Sequence, residues 1–197
     1  MLNVASITFA PVIKLPDEYE IYDFTEGYDS DRPLAYPYGV GKYNEHRPGM
    51  YAGEQFTEDQ RDIHIGIDIG TPVGEPVHAF YGGTIHALGD NDIPWDYGPT
   101  IITVHRWLNQ TVYALHGHLS RASLAEWSVG DHFEQGATLG WVGTKAENGG
   151  WNPHLHFQLS LLKPDTYDMP GVVSRAQLNW ALETFPDPRI VLGPLYP

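Results

Sequence analysis

Ile63-His64-Ile65-Gly66-Ile67-Asp68-Ile69-Gly70 constrains the fold of this chain more than any other stretch. Successive side chains on a β-strand point to opposite faces, so an apolar residue at every second position is the period of a strand buried on one face. A helix would scatter the four isoleucines around its circumference, and β-branched residues are in any case better placed on a pleated surface. His64 and Asp68 fall on the face opposite the isoleucines. On a straight strand they would stand about 13 Å apart. Bringing both to one ion requires a bend, and Gly66 is the residue at which a bulge or turn can form.

Strand-sized pieces follow at short intervals: Val77 to Phe80, Thr84 to Ala87 after Gly82-Gly83, Thr100 to His105, Gln110 to Leu115, Thr138 to Val142 and His154 to Leu161. Short strands broken by glycine turns predict a mainly β fold, an antiparallel β-sheet or sandwich core. The 12 tyrosines, 6 tryptophans, 21 glycines and 16 prolines agree with strands joined by tight turns rather than with a helical bundle. One domain, 1–197, accounts for the pattern, with its core at 63–161. Residues 1–62 read as a long irregular N-terminal segment packed on that core; Ile7 to Ile13 has an edge-strand texture that Pro11 weakens. In 162–197, Ser174 and Gln177 have capping-box spacing, and Leu178, Ala181, Leu182 and Phe185 form one apolar stripe, so a short helix is expected there. Pro186 and Pro188 end it, and an extended tail follows.

The formal charge of −14 opposes binding to nucleic acid and to anionic polymers or membranes. With no cysteine, a zinc site must be built from histidine and carboxylate. The opening residues, Met1 to Thr8, have neither a basic region nor an apolar run leading to a cleavage site, so no signal peptide is visible: the reading is either a cytoplasmic protein or an exported one whose signal has been trimmed. No stretch is apolar for long enough to span a membrane.

Two His-x-His pairs stand on predicted strands. His154 and His156 share a face by strand alternation, and His116 and His118 repeat the spacing near the end of another strand. Either pair alone reads equally well as the polar face of a strand. Together with His64 and Asp68 they supply enough groups both for a zinc site, which needs three protein ligands and an open position, and for the proton transfers beside it.

His64-Ile65-Gly66-Ile67-Asp68, His116-Gly117-His118-Leu119-Ser120 and His154-Leu155-His156-Phe157 together resemble the three signatures of the lysostaphin-like zinc metallopeptidases. The intervening Gly70-Thr71-Pro72-Val73, Gly83-Thr84-Ile85, Tyr97-Gly98-Pro99-Thr100 and Leu139-Gly140 resemble the family as well, over residues 63 to about 160 and in the family's order. The resemblance implies that His64, Asp68 and His156 hold one zinc ion and that His118 and His154 are the catalytic histidines. His116 stands where the family usually has tyrosine and is expected to neighbour the site without ligating. His105 is a candidate to orient a site residue; Tyr43 and Arg47 are candidates for the substrate groove, although a salt bridge or packing is the simpler role for them. His78, His86 and His132 read as supporting or surface histidines. The implied activity is a metalloendopeptidase cleaving short peptides, with peptidoglycan cross-links as the expected substrate.

The chain also departs from the family ahead of the first motif: Tyr38-Gly39-Val40-Gly41-Lys42-Tyr43-Asn44-Glu45-His46-Arg47 stands where Phe-Gly-x-Arg is usual. Two other readings therefore remain open, an intracellular hydrolase of a non-wall amide and a non-catalytic zinc-dependent binding module. Oligomeric state cannot be read from the sequence.

Overall fold

The computed structural model describes residues 7–197 apart from 30, 33, 52, 58, 108 and 109, so most of the opening stretch read for a signal peptide lies outside the described residues. The architecture is mainly β. Among the described residues the strands run β1 (Glu20–Ile21), β2 (Gly39–Gly41), β3 (Glu45–His46), β4 (Ile63–His64), β5 (Ile67–Gly70), β6 (Pro76–His78), β7 (Gly83–Asn91), β8 (Gly98–Trp107), β9 (Gln110–Gly117), β10 (His132–Phe133), β11 (Thr138–Trp141), β12 (His154–Ser160) and β13 (Val172–Val173). The helices are short: α1 (Glu54–Thr57), α2 (Arg121–Ala125), α3 (Leu178–Thr184) and α4 (Arg189–Leu192). Among the described residues no helix is long and apolar enough to cross a membrane.

The main sheet has the order β1-β2-β5-β12-β9-β8-β7-β10. Its pairings are antiparallel except for β1 with β2. Alternation along β12 sends Leu155, Phe157 and Leu159 into the larger apolar cluster, where Ile67, Ile69, Ile101, Ala114 and Phe80 also lie. His154, His156 and Gln158 take the opposite face by the same period. A smaller cluster that includes Ile63, Ile65, Ile102, Leu115, Tyr97 and Val173 forms a second core.

The isoleucine run does not form one straight strand. It breaks at Ile65-Gly66 into β4 and β5, which belong to different sheets: β4 pairs with β3 and β13, and β5 pairs with β2 and β12. Ile63 and Ile65 therefore enter the smaller core and Ile67 and Ile69 the larger one. Gly66 is required at the break, because a Cβ there would lie 2.5 Å from Cε1 of His156.

Three expectations are corrected. The N-terminal segment is not simply irregular: β2 is a member of the main sheet beside β5, and β3 pairs with β4. Strands of two or three residues are too short to show a period in sequence. The tail after Pro188 is not extended throughout, since residues 189–192 form α4. Leu182 does not join the buried stripe of the C-terminal helix and is 38% exposed, whereas Ala181 and Phe185 are buried. The capping residues behave as expected, with Ser174 N–H and hydroxyl both donating to Gln177 Oε1.

Candidate active site

The bend at Gly66 brings His64 and Asp68 together, and the register of β12 against β5 sets His156 directly opposite Asp68. His64 Nε2 lies 3.2 Å from Asp68 Oδ1 and 3.1 Å from His156 Nδ1, and His156 Nδ1 lies 3.0 Å from Asp68 Oδ1. All three residues are buried.

The outer hydrogen bonds assign the protons. His64 Nδ1 is 3.0 Å from the Lys42 carbonyl, so it carries the N–H and Nε2 presents a lone pair. Gln158 donates its amide to Pro170 O, which leaves Oε1 to accept from His156 Nε2 at 3.1 Å. A neutral His156 then presents a lone pair at Nδ1 as well. Two imidazole lone pairs and a carboxylate oxygen thus converge with no proton between them, an arrangement that repels itself unless a cation occupies the centre. Their spacing matches it: tetrahedral ligands at about 2.0–2.1 Å from zinc stand about 3.4 Å from one another. The donor set, two nitrogens and one oxygen, suits zinc and leaves a fourth position open.

Asp68 is held from behind. Arg47 Nη1 donates to Asp68 Oδ2 at 2.6 Å, and Arg47 Nε donates to Glu45 Oε2 at 2.9 Å. The guanidinium is fully buried and lies over the Phe24 ring at 4.7 Å. Burial would raise the Asp68 carboxyl; the neighbouring His64 ring and the Arg47 guanidinium oppose it and hold the group well below the usual carboxylate range. Burial pushes His64 down to about 4, with the Arg47 charge acting in the same direction. The site therefore keeps its carboxylate ionised and His64 neutral, the states a metal requires.

His118 and His154 stand beside this cluster. Their rings are 4.2 Å apart between centroids, and His154 Nε2 is 3.8 Å from Asp68 Oδ1. Each Nδ1 is tied to a carbonyl, Asn148 O at 2.9 Å for His118 and Asn152 O at 2.6 Å for His154, so each Nε2 is an acceptor. Burial lowers both, and for His118 the neighbouring His154 and His156 add to the effect. His118 reaches this face through its backbone. Regular alternation would put it on the side of His116; instead β9 ends at Gly117 and His118 takes φ +62°. Its N–H donates to Tyr97 O, and its carbonyl accepts from Gly143 N.

The family model for peptidase family M23 matches residues 62–167. The chain belongs to peptidase family M23. It is thereby a zinc metalloendopeptidase. Among solved structures, the M23 chain is similar to the catalytic domain of the prophage-encoded M23 protein EnpA of Enterococcus faecalis, at 23% identity and a TM-score of 0.47, over 72% of this chain and 92% of that one. It is similar to the catalytic domain of the antimicrobial peptidase lysostaphin of Staphylococcus simulans, at 21% identity and a TM-score of 0.45, over 73% and 92%. It is also similar to a zinc-containing peptidase of Vibrio cholerae, at 18% identity and a TM-score of 0.44, over 74% and 41%. No curated protein matches it.

Within the M23 region the structure separates the remaining candidates. His116 points to the face opposite His156: it packs on Phe157 at 5.3 Å between ring centroids and donates to Ile101 O. His105 is on that face too, against Phe80 at 4.3 Å, with Thr103 Oγ1 and Gly82 O as partners. Neither reaches the cluster, because strand alternation carries both into the large core. Tyr43 is also remote, its hydroxyl donating to Phe185 O. Arg47 does reach the site, through Asp68.

Other site residues were not singled out from the sequence. Tyr97 packs on His118 and His156, at 5.5 and 5.0 Å between centroids, and its hydroxyl donates to Met169 O. Asn148 supplies the carbonyl for His118 and is locked to Trp151 by bonds in both directions. Gln158 fixes the His156 tautomer. Backbone carbonyls leave no trace in residue identity, whereas Gln158 continues the His154-His156 face and is visible as its next member. The cluster opens into a cavity of about 330 Å³ walled by Tyr51, Trp95, Tyr97, Trp151 and Met169.

Proposed function

We propose that His64 Nε2, Asp68 Oδ1 and His156 Nδ1 hold one zinc ion, and that His118 and His154 move the protons in hydrolysis of amide bonds in short peptides, with peptidoglycan cross-links as the substrate. The observation that carries the reading is the convergence of three lone pairs 3.0–3.2 Å apart, beside two imidazoles whose Nε2 atoms are free to accept.

When bound, zinc supplies Lewis acidity that acidifies a water and polarises the scissile carbonyl. One of His118 and His154 accepts the water's proton as the oxygen attacks. The imidazolium so formed then donates to the nitrogen of the departing amine, and the second histidine hydrogen-bonds the developing oxyanion only when its Nε2 is protonated as well. Asn148 O and Asn152 O hold the two rings in the tautomer this requires. Arg47 keeps Asp68 ionised and oriented.

Hydrolysis of purified cell-wall cross-links by the zinc-loaded protein tests the reading. His118→Ala is expected to lower kcat by about 10²–10⁴-fold while zinc stays bound. Full activity in that variant would remove the assigned role. The formal charge of −14 favours a second substrate, a non-wall amide, because an acidic body is repelled by anionic polymers. Cleavage of free peptides but not of intact wall would select it.

A further inference from the structure

Two cavities open onto the same edge of the site. Besides the one above, a second of about 190 Å³ is walled by Tyr22, Phe24, Tyr28, Leu34 and Pro37 together with Trp151. Asp68, His154, Met50 and Trp151 line both. Trp151 is the partition. Its buried ring meets Tyr28 of the second cavity at 5.8 Å, and Tyr51 and Trp95 of the first at 6.0 and 5.1 Å. His154 therefore borders both chambers.

The outer wall of the second chamber comes from residues 22–37, ahead of the region that the family model matches. It is a built wall. Tyr22 lies flat on Gly39 and Gly70, which face each other across β2 and β5, and a Cβ at either position would collide with its ring. Tyr28 is hydrogen-bonded to the backbone of Asn152, the residue whose carbonyl orients His154. The charged side chains of the lining are few: Arg32 is paired with Glu20, Asp68 is paired with Arg47, and Asp29 remains. An occupant of this chamber meets mainly aromatic and aliphatic surface.

We propose that this chamber is a substrate subsite for a large, uncharged, apolar side chain beside the scissile amide. The proposal rests on the amide-hydrolase reading above. A run of glycines offers nothing to displace water from these walls, whereas a Leu or Phe side chain does.

The test is binding to the zinc-loaded His118→Ala protein, in which substrate survives, measured by titration calorimetry. The probes are terminally blocked hexaglycine and the same peptide with one glycine replaced in turn by Leu or Phe. At least one position is expected to bind about tenfold tighter than hexaglycine. Leu34 is 52% exposed, so Leu34→Asp leaves folding intact. It should abolish that gain and leave hexaglycine binding unchanged. Equal binding of all the peptides, or a Leu34→Asp effect of the same size on each, would overturn the proposal. Cleavage of the series by the unsubstituted protein is read separately. Graded binding without cleavage would contradict the hydrolase reading and leave the subsite standing.

Discussion

At the residue scale the site depends on what stands behind each functional atom. Arg47 is the clearest case. Its side chain is fully buried, and it joins Glu45 to Asp68. Arg47→Met removes the cation that the buried carboxylates of Asp68 and Glu45 share, leaving Glu45 with Lys42 at 3.3 Å. Leaving buried charge uncompensated typically costs about 3–5 kcal/mol. Loss of an orienting partner weakens a metal by about 10–100-fold. Chemical denaturation and zinc competition against a chelator are expected to show both effects in Arg47→Met; unchanged zinc affinity would mean that Asp68 is oriented without it. The identities of the five clustered residues were legible in the sequence, because each belongs to a short motif. Of their supports, Arg47 was legible as a salt-bridge candidate but its partner Asp68, 21 residues away, was not, and Lys42 O, Asn148 O and Asn152 O act through the backbone.

At the element scale the break between β4 and β5 makes the site. The alternation announced a strand, and the histidine-to-aspartate spacing required a bend that Gly66 was able to supply. The structure uses that bend twice, to fold His64 onto Asp68 and to hand the isoleucines from one core to the other. Gly66→Ala would press a methyl against the His156 ring, 2.5 Å from Cε1 and 2.6 Å from Nε2. A displacement of that ring is expected to lower zinc affinity by about 10–100-fold, read by chelator competition. Near-normal affinity would mean that the ring has room to give. Alternation misled at β9, where it suggested that His116 and His118 share a face. The positive φ of His118 separates them. Histidine enters that region less readily than glycine, and nothing in the surrounding residue types marks the position for it.

For the molecule as a whole, the acid limit of stability has a definite origin. His105 and His116 are buried on the far side of the main sheet. Burial pushes His105 down to about 4; burial, with His105 nearby, pushes His116 down to about 3. Among the described residues His116 Nε2 has no hydrogen-bond partner. Because these native values lie below the unfolded value of about 6.5, the unfolded chain binds protons first as pH falls. Their contribution to stability is complete above pH 6.5 and is lost as pH falls toward about 4 for His105 and about 3 for His116, at about 1.4 kcal/mol per unit for each group. In zinc-loaded protein, His116→Phe should reduce the loss of unfolding free energy between pH 7 and pH 5 by about 2 kcal/mol. An unchanged pH dependence would show that His116 takes up its proton in the folded state.

The central claim is that the chain divides its histidines between a metal and a reaction. Zinc content of purified protein at neutral pH, compared across three forms, tests that division. One zinc per chain in the unsubstituted protein, one in His118→Ala and none in His156→Ala is the predicted result. Loss of zinc from His118→Ala as complete as from His156→Ala, or no zinc in the unsubstituted protein, would contradict it.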